Sequence, residues 1–182
     1  MRLALLTLLS AALSFAQTLS GDALVQALQK GGYIIVMRHT SSPRTPPAVP
    51  AADNPNKERE LDQTGQATAT AMGKALRDLR IPIDDTFSSP TYRAMQTAKY
   101  AQFAAASPVP ELGDNGQSMS GGTAAQAAWL QAKVKEARPG ANTILITHQP
   151  NLAAAFPQLQ NVEDGESLIF GPGGTLVARV KV

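Results

Sequence analysis

The chain has 182 residues, 43% of them hydrophobic, enough for one domain to bury a sizeable core, and it carries a formal charge of +2 with only 5% aromatic residues. That balance does not describe a nucleic-acid surface and leaves few platforms for stacked bases. There is no cysteine, so disulfide scaffolds and thiolate zinc sites are excluded and stability has to come from packing.

The first residues, MRLALLTLLSAALSFAQ, place a basic Arg2 before an apolar run from Leu3 to Leu13, with small residues at Ser14 and Ala16. This layout predicts a signal peptide over residues 1–16, cleaved after Ala16, and an exported domain over residues 17–182, periplasmic or extracellular. The run is too short to span a bilayer, which takes about 20 apolar residues.

Ser20 followed by GDALVQALQK and Gly31-Gly32 predicts a capped helix with Leu24, Val25 and Leu28 on its apolar face. Tyr33 to Met37 is apolar without alternation, the pattern of a strand buried on both faces. From Thr40 to Lys57 the prolines at 43, 46, 47, 50 and 55 fix φ and remove donors, so this stretch reads as a long loop. A helix is predicted from Asp62 to Arg80 with Ala67, Ala71, Met72, Ala75, Leu76 and Leu79 inward. A strand follows over Ile83 to Ser88, a helix over Pro90 to Ala106 and a short strand over Val109 to Leu112, then a glycine-rich loop to Gly122. Thr123 to Ala137 reads as a helix, Thr143 to Thr147 as a second apolar strand, and the tail as two strands joined by a Gly-Pro-Gly-Gly turn. Alternation of this kind predicts an α/β fold: a three-layer α/β/α sandwich on a mainly parallel sheet.

In such sheets ligands bind beyond the carboxyl ends of the parallel strands. Arg38 and His39 follow the first strand, Ser89 and Arg93 follow the second, and His148 follows TILIT. Two guanidinium forks, aided by helix N-termini, suit the oxygens of a phosphoryl group. Nearby arginines favour a neutral imidazole, which suits His39 as the nucleophile on phosphorus, with His148 as an electrostatic partner. Cationic side chains then supply the charge that metal ions supply elsewhere, so no cofactor and no metal is expected. Taken singly, either histidine also reads as a polar cap on a core strand, and either arginine as a solvated surface group.

The sequence resembles the histidine phosphatase superfamily, the acid phosphatase and phosphoglycerate mutase group, in its short branch. Arg38-His39-Thr40 stands where that family has Arg-His-Gly. Ser88-Ser89-Pro90-Thr91-Tyr92-Arg93-Ala94-Met95-Gln96-Thr97-Ala98 matches its Ser-Ser-Pro segment, Arg59-Glu60-Leu61-Asp62 its entry to the second helix, and His148 its late histidine. The resemblance implies a phosphoglycerate mutase-like fold, with His39 phosphorylated in turnover and Arg38, Arg93 and His148 completing the phosphate pocket. It also implies a carboxyl group as general acid; Leu112-Gly113-Asp114 fits the family pattern and points to Asp114, with Glu111 as the competitor.

The expected activity is therefore that of an exported, metal-independent phosphomonoesterase, a phosphoric monoester hydrolase acting on a small phosphorylated substrate, with no nucleic-acid partner and no membrane span. The alternative is a phosphate-binding module that does not turn over. Thr40, in place of glycine, is expected either to narrow the pocket mouth or to offer it a hydroxyl.

Overall fold

The structure is a computed structural model that describes residues 18–114, 123–159 and 161–182. The expected signal peptide and most of the glycine-rich loop before Gly122 lie outside the described residues. In chain order the elements are α1 (Gly21–Lys30), β1 (Ile34–Arg38), α2 (Gln63–Asp78), β2 (Ile83–Ser88), α3 (Tyr92–Ala101), β3 (Ser107–Pro108), a 3-10 turn (Pro110–Leu112), α4 (Ala124–Lys133), β4 (Asn142–Thr147), α5 (Gln149–Ala155), β5 (Ser167–Phe170) and β6 (Leu176–Val180).

The strands form a six-stranded sheet in the order β3-β2-β4-β1-β5-β6. Its β3-β2-β4-β1 portion is parallel, and the carboxy-terminal hairpin adds antiparallel strands beside β1. Apolar side chains of β1 and β4 split by parity. Ile35, Met37, Ile144 and Ile146 pack under α1, α2 and α3, while Ile34, Val36 and Leu145 pack under α4 and α5. The three-layer sandwich expected from the sequence is thus what the chain adopts, and a strand flanked by helix layers on both faces has no polar side to show.

The structure differs from the sequence reading where side-chain pattern is a weak signal. The buried stripe of α2 is Gly65, Ala69, Met72, Gly73 and Leu76, whereas Ala67, Ala71 and Leu79 are exposed. Alanine fits either face of a helix; the glycines decide here, because α3 crosses so closely that a Cβ on Gly73 would stand 1.8 Å from the carbonyl oxygen of Ala101. The helix predicted to run to Ala106 stops at Ala101, where Gln102 turns into the left-handed region at φ 55°. The strand predicted over Val109 to Leu112 is a 3-10 turn over Pro110–Leu112, preceded by the two-residue β3. The seven-residue α5 is an addition to the predicted elements, although Pro150 in its first turn is a start signal.

The proline-rich segment is irregular, as predicted, but closely stitched. Asn54 bonds Glu58 and Glu60, Ser41 Oγ donates to Asp62 Oδ2 at 2.7 Å, and Asp53 ties the loop to Tyr92 and Lys99 of α3.

Gly73→Ala is expected to destabilise the fold by about 2 kcal/mol or more, the usual scale of overpacking against backbone, while Ala67→Ser stays within about 0.5 kcal/mol. Urea unfolding of both variants checks this.

Candidate functional site

The parallel register brings three strand ends level. Arg38 pairs with Thr147 across β1 and β4, and Ser88 pairs with Ile146 across β2 and β4. The next residues along each strand are His39, His148 and Ser89, so all three emerge at one rim. The rim is fixed by backbone bonds: His39 N–H donates to Thr147 O, Ser89 N–H to Ile146 O, and Gly165 N–H to His39 O.

Arg93, on the first turn of α3, lies in the middle. Its Nε–H donates to His39 Nε2 at 3.2 Å, and Nη2 donates both to His148 Nδ1 at 3.2 Å and to Asp114 Oδ2. All four side chains are buried, with His39, Arg93 and Asp114 at 4% exposure and His148 at 2%. The two imidazoles meet edge to face with centroids 5.1 Å apart.

These partners fix the tautomers, since a carbonyl can only accept and a guanidinium can only donate. His39 Nδ1 lies 2.8 Å from Thr40 O, so Nδ1 carries the proton and Nε2 keeps its lone pair. His148 Nδ1 accepts from Arg93, so Nε2 carries the proton and donates to Ser89 Oγ at 2.8 Å. Both rings are therefore neutral. Burial holds the His39 imidazole well below its ordinary value of 6.5; the repulsion that a proton on His148 would exert and the charges of Arg93 and Arg38 push the same way, and the bond to Thr40 opposes them. Burial, then Arg93, Arg59 and Arg38, lowers His148 likewise. The sequence reading makes His148 a charged partner; with only protein groups around it, it is neutral, because burial and then the charge of Arg93 disfavour its protonation.

Arg38 reaches the cleft by another route. Nη1 donates to Val162 O at 2.7 Å and Nη2 pairs with Asp164 Oδ1 at 2.7 Å, so the loop before β5 holds its side chain. Asp114 stands after the 3-10 turn on a backbone pinned from two directions. Gly113 O accepts from Asn151 Nδ2 and Gln126 Nε2, and Leu112 O accepts from Thr147 Oγ1. One carboxylate oxygen, Oδ2, is engaged by Arg93; the other, Oδ1, is buried with no hydrogen-bond partner among the described residues. Asp114, not Glu111, lines the cleft.

Two expectations are corrected. Thr40 neither narrows the mouth nor offers a hydroxyl: it is fully buried, Oγ1 lies 3.3 Å from Thr97 Oγ1, and Thr97 Oγ1 also accepts from the Thr40 N–H. The start of α3 does not present all its donors to an anion either, since Glu58 Oε2 takes the Tyr92 N–H at 3.0 Å.

The cleft is lined by Arg38, His39, Arg44, Arg59, Arg93, Asp114, His148, Gln149 and Pro150. Arg44 and Arg59 are not among the residues the sequence reading places at the site. Arg59 donates from Nε to Pro43 O at 2.6 Å and from Nη2 to Ser42 O at 2.7 Å, which folds the loop's far end back over the pocket. The only sequence signal is the motif entering α2, which contains Arg59; nothing marks Arg44. Among the described residues no group of three or more His, Cys, Asp or Glu side chains is placed to hold a metal ion.

A buried cationic fork between two neutral imidazoles at the open end of a parallel sheet has the chemistry of a site for an oxyanion. The family model of the histidine phosphatase superfamily (branch 1) matches residues 34–115, from β1 through Asp114. The match spans a little under half of the chain, and with the motifs and the fold it makes the chain similar to that superfamily, whose members are phosphatases and mutases.

Among solved structures, the protein histidine phosphatase SixA complexed with tungstate superposes with a TM-score of 0.58 at 20% identity, over 82% of this chain and 96% of that one. Phosphoglycerate mutase from Thermus thermophilus gives 0.57 at 18%, over 82% and 99%. Phosphoserine phosphatase from Entamoeba histolytica, in complex with 3-phosphoglyceric acid, gives 0.58 at 11%, over 82% and 97%. At these identities the likeness is one of fold. No curated protein matches the sequence.

Nitrogen-15 NMR of labelled imidazoles at pH 7 is expected to show His39 as the Nδ1–H and His148 as the Nε2–H tautomer, both titrating below 6.5. The sign for stability follows. Below about pH 6.5 the unfolded chain protonates both rings while the folded one does not, so stability falls as pH drops through that value and levels off above it. Replacing both histidines with glutamine should flatten that part of the profile in urea titrations.

Proposed function

We propose that this protein is an exported, metal-independent phosphomonoesterase that works through a phosphohistidine on His39. The observation that carries the reading is the hydrogen-bond pattern of His39: Nδ1 is anchored to a carbonyl, and the lone pair of Nε2 points into a cleft walled by guanidinium groups.

The chemistry takes two steps. Arg93 Nε–H moves from His39 Nε2 to a phosphoryl oxygen, freeing the lone pair. Nε2 then forms a bond to phosphorus as the P–O bond to the alcohol breaks, and the Asp114 carboxylate, having taken the proton of a monoanionic phosphoryl group as the substrate enters, passes it from Oδ1, the oxygen free of Arg93, to the departing oxygen. Water next attacks the phosphohistidine, Asp114 takes the water's proton and returns it to the departing orthophosphate, and Nε2 and the carboxylate are restored. Arg38 and Arg93 complement the charge on the equatorial oxygens, as metal ions do in other phosphoryl-transfer enzymes. His148 is held by Ser89 and Arg93 with Nδ1 toward Arg93, and it donates to the phosphoryl group once an anion draws a proton onto it.

The substrate class includes sugar phosphates, nucleotides, phosphohistidine on a protein and lipid-linked phosphates. Export separates the protein from a cytoplasmic phosphoglycerate pool, which favours hydrolysis over mutase chemistry. A phosphate-binding module without turnover draws support from one feature: Arg93 occupies both the nucleophile's lone pair and one oxygen of the acid.

With a chelator present, hydrolysis of p-nitrophenyl phosphate is expected to persist in the wild type and to fall by on the order of 10³ or more in His39→Ala. Activity that survives that change ends the mechanism, and binding of orthophosphate with no turnover of a broad phosphoester panel establishes the module. Asp114→Asn should cost about 10² on an alkyl phosphate but much less on the nitrophenyl ester, whose leaving group needs no proton. For export, N-terminal sequencing of the secreted or periplasmic protein is expected to begin at Gln17.

A further inference from the structure

The charges around the cleft cancel unevenly. Arg38 is paired with Asp164 at 2.7 Å and Arg93 with Asp114, both within the wall of the cleft. The hydrogen-bond pattern leaves both histidines uncharged. Two guanidinium groups that line the same cleft, Arg44 and Arg59, have no carboxylate in ion-pair contact among the described residues. Arg59 is bound only by the neutral carbonyls of Ser42 and Pro43, through Nε and Nη2, which leaves Nη1 uncommitted. Arg44 is exposed and no described residue bonds it.

Position separates these two from the floor of the pocket. His39, Arg93, His148 and Asp114 are buried at the strand ends, whereas Arg44 and Arg59 come from the irregular segment between β1 and α2 and stand on the open side. A phosphoryl group seated at the floor meets the buried set first, and its leaving group extends past the loop. Partial burial and then the charge of Arg93 hold the Arg59 guanidinium below its ordinary value, Asp114 and Asp164 oppose them, and Arg44 adds a further repulsion. Like charges gathered in one cleft are relieved by an anion between them.

We propose that the substrate carries a second anionic group on its leaving-group side, a phosphate or a carboxylate, and that Arg44 and Arg59 hold it. The proposal rests on the phosphomonoesterase reading for the placement of the scissile phosphoryl group, and it narrows the substrate class to bis-anionic phosphoesters. Arg59 presents a planar fork suited to two oxygens of one group, and Arg44 is free to turn onto it.

The test is calorimetric binding to the intact protein at constant ionic strength, using methylphosphonate as the single-anion probe and phosphonoacetate and pyrophosphate as two-anion probes. At least one two-anion probe is expected to bind about tenfold more tightly than methylphosphonate. Arg44→Ala and Arg59→Gln should each bring that ratio down at least about threefold. Preference for phosphonoacetate alone assigns a carboxylate, and preference for pyrophosphate alone a second phosphate. Equal binding of all three probes, or a preference that survives in both variants, overturns the proposal. Arg44→Ala removes a side chain that bonds nothing among the described residues, so it tests the idea without risk to the fold. Binding does not require turnover, so a protein that hydrolyses nothing yet keeps the ratio refutes the esterase reading alone.

Discussion

The site depends on one buried guanidinium. Arg93 donates to both imidazoles and to Asp114, and no other described side chain touches all three. An arginine can do this because its donors lie in a fixed plane and it remains charged when buried. The arrangement is mutually enforcing. Asp114 compensates the buried cation, burial and the cation keep both rings neutral, and each ring turns its unprotonated nitrogen to accept from Arg93. Removing one partner of such a buried pair costs about 3–5 kcal/mol because the remaining charge is left uncompensated. The chemistry and the packing at the strand ends therefore rest on the same contact.

Around this centre the fold divides the labour by element. The parallel strands set the depth of His39 and His148 through their backbone register, which no side-chain motion alters. Side chains of α4, β4 and α5 fix the Asp114 backbone: Gln126 and Asn151 donate to the carbonyl of Gly113 and Thr147 to that of Leu112. The loop before β5 holds Arg38, and the loop before α2 supplies the cations left without a carboxylate. The buried histidines thus sit at the ends of rigid strands and the cations without a carboxylate on a loop, the arrangement expected where one fold serves many ligands.

Much of the architecture is legible because the signal repeats along the chain. The unbroken apolar runs of β1 and β4 announce strands covered on both faces, and Asp62 marks the start of α2, where its side chain accepts from Gly65 N–H at 2.7 Å. The reading fails where residue type is neutral about its surroundings. Periodicity puts alanines of α2 on the buried face, and propensity extends the carboxyl end of α3 through Phe103-Ala104-Ala105-Ala106, whose backbone is turned aside at Gln102. At the site, His39, Arg93 and His148 are legible as polar residues ending apolar strands or opening a helix. Arg44 is not, because an arginine among prolines looks like any solvated loop residue until the loop's path is known.

What the sequence determined by itself is the set of groups at the strand ends, because hydrophobic patterning fixes which segments are strands and where each one stops. What the tertiary structure alone decided is their electrical state. Arg38 is compensated by Asp164, which lies more than a hundred residues away along the chain; His148 is neutral rather than cationic; Thr40 turns from the cleft toward Thr97; and the uncompensated charge falls on Arg44 and Arg59. The reason is physical: a side chain's chemistry is local, but its protonation and pairing depend on burial and on charges brought close only by the folded chain.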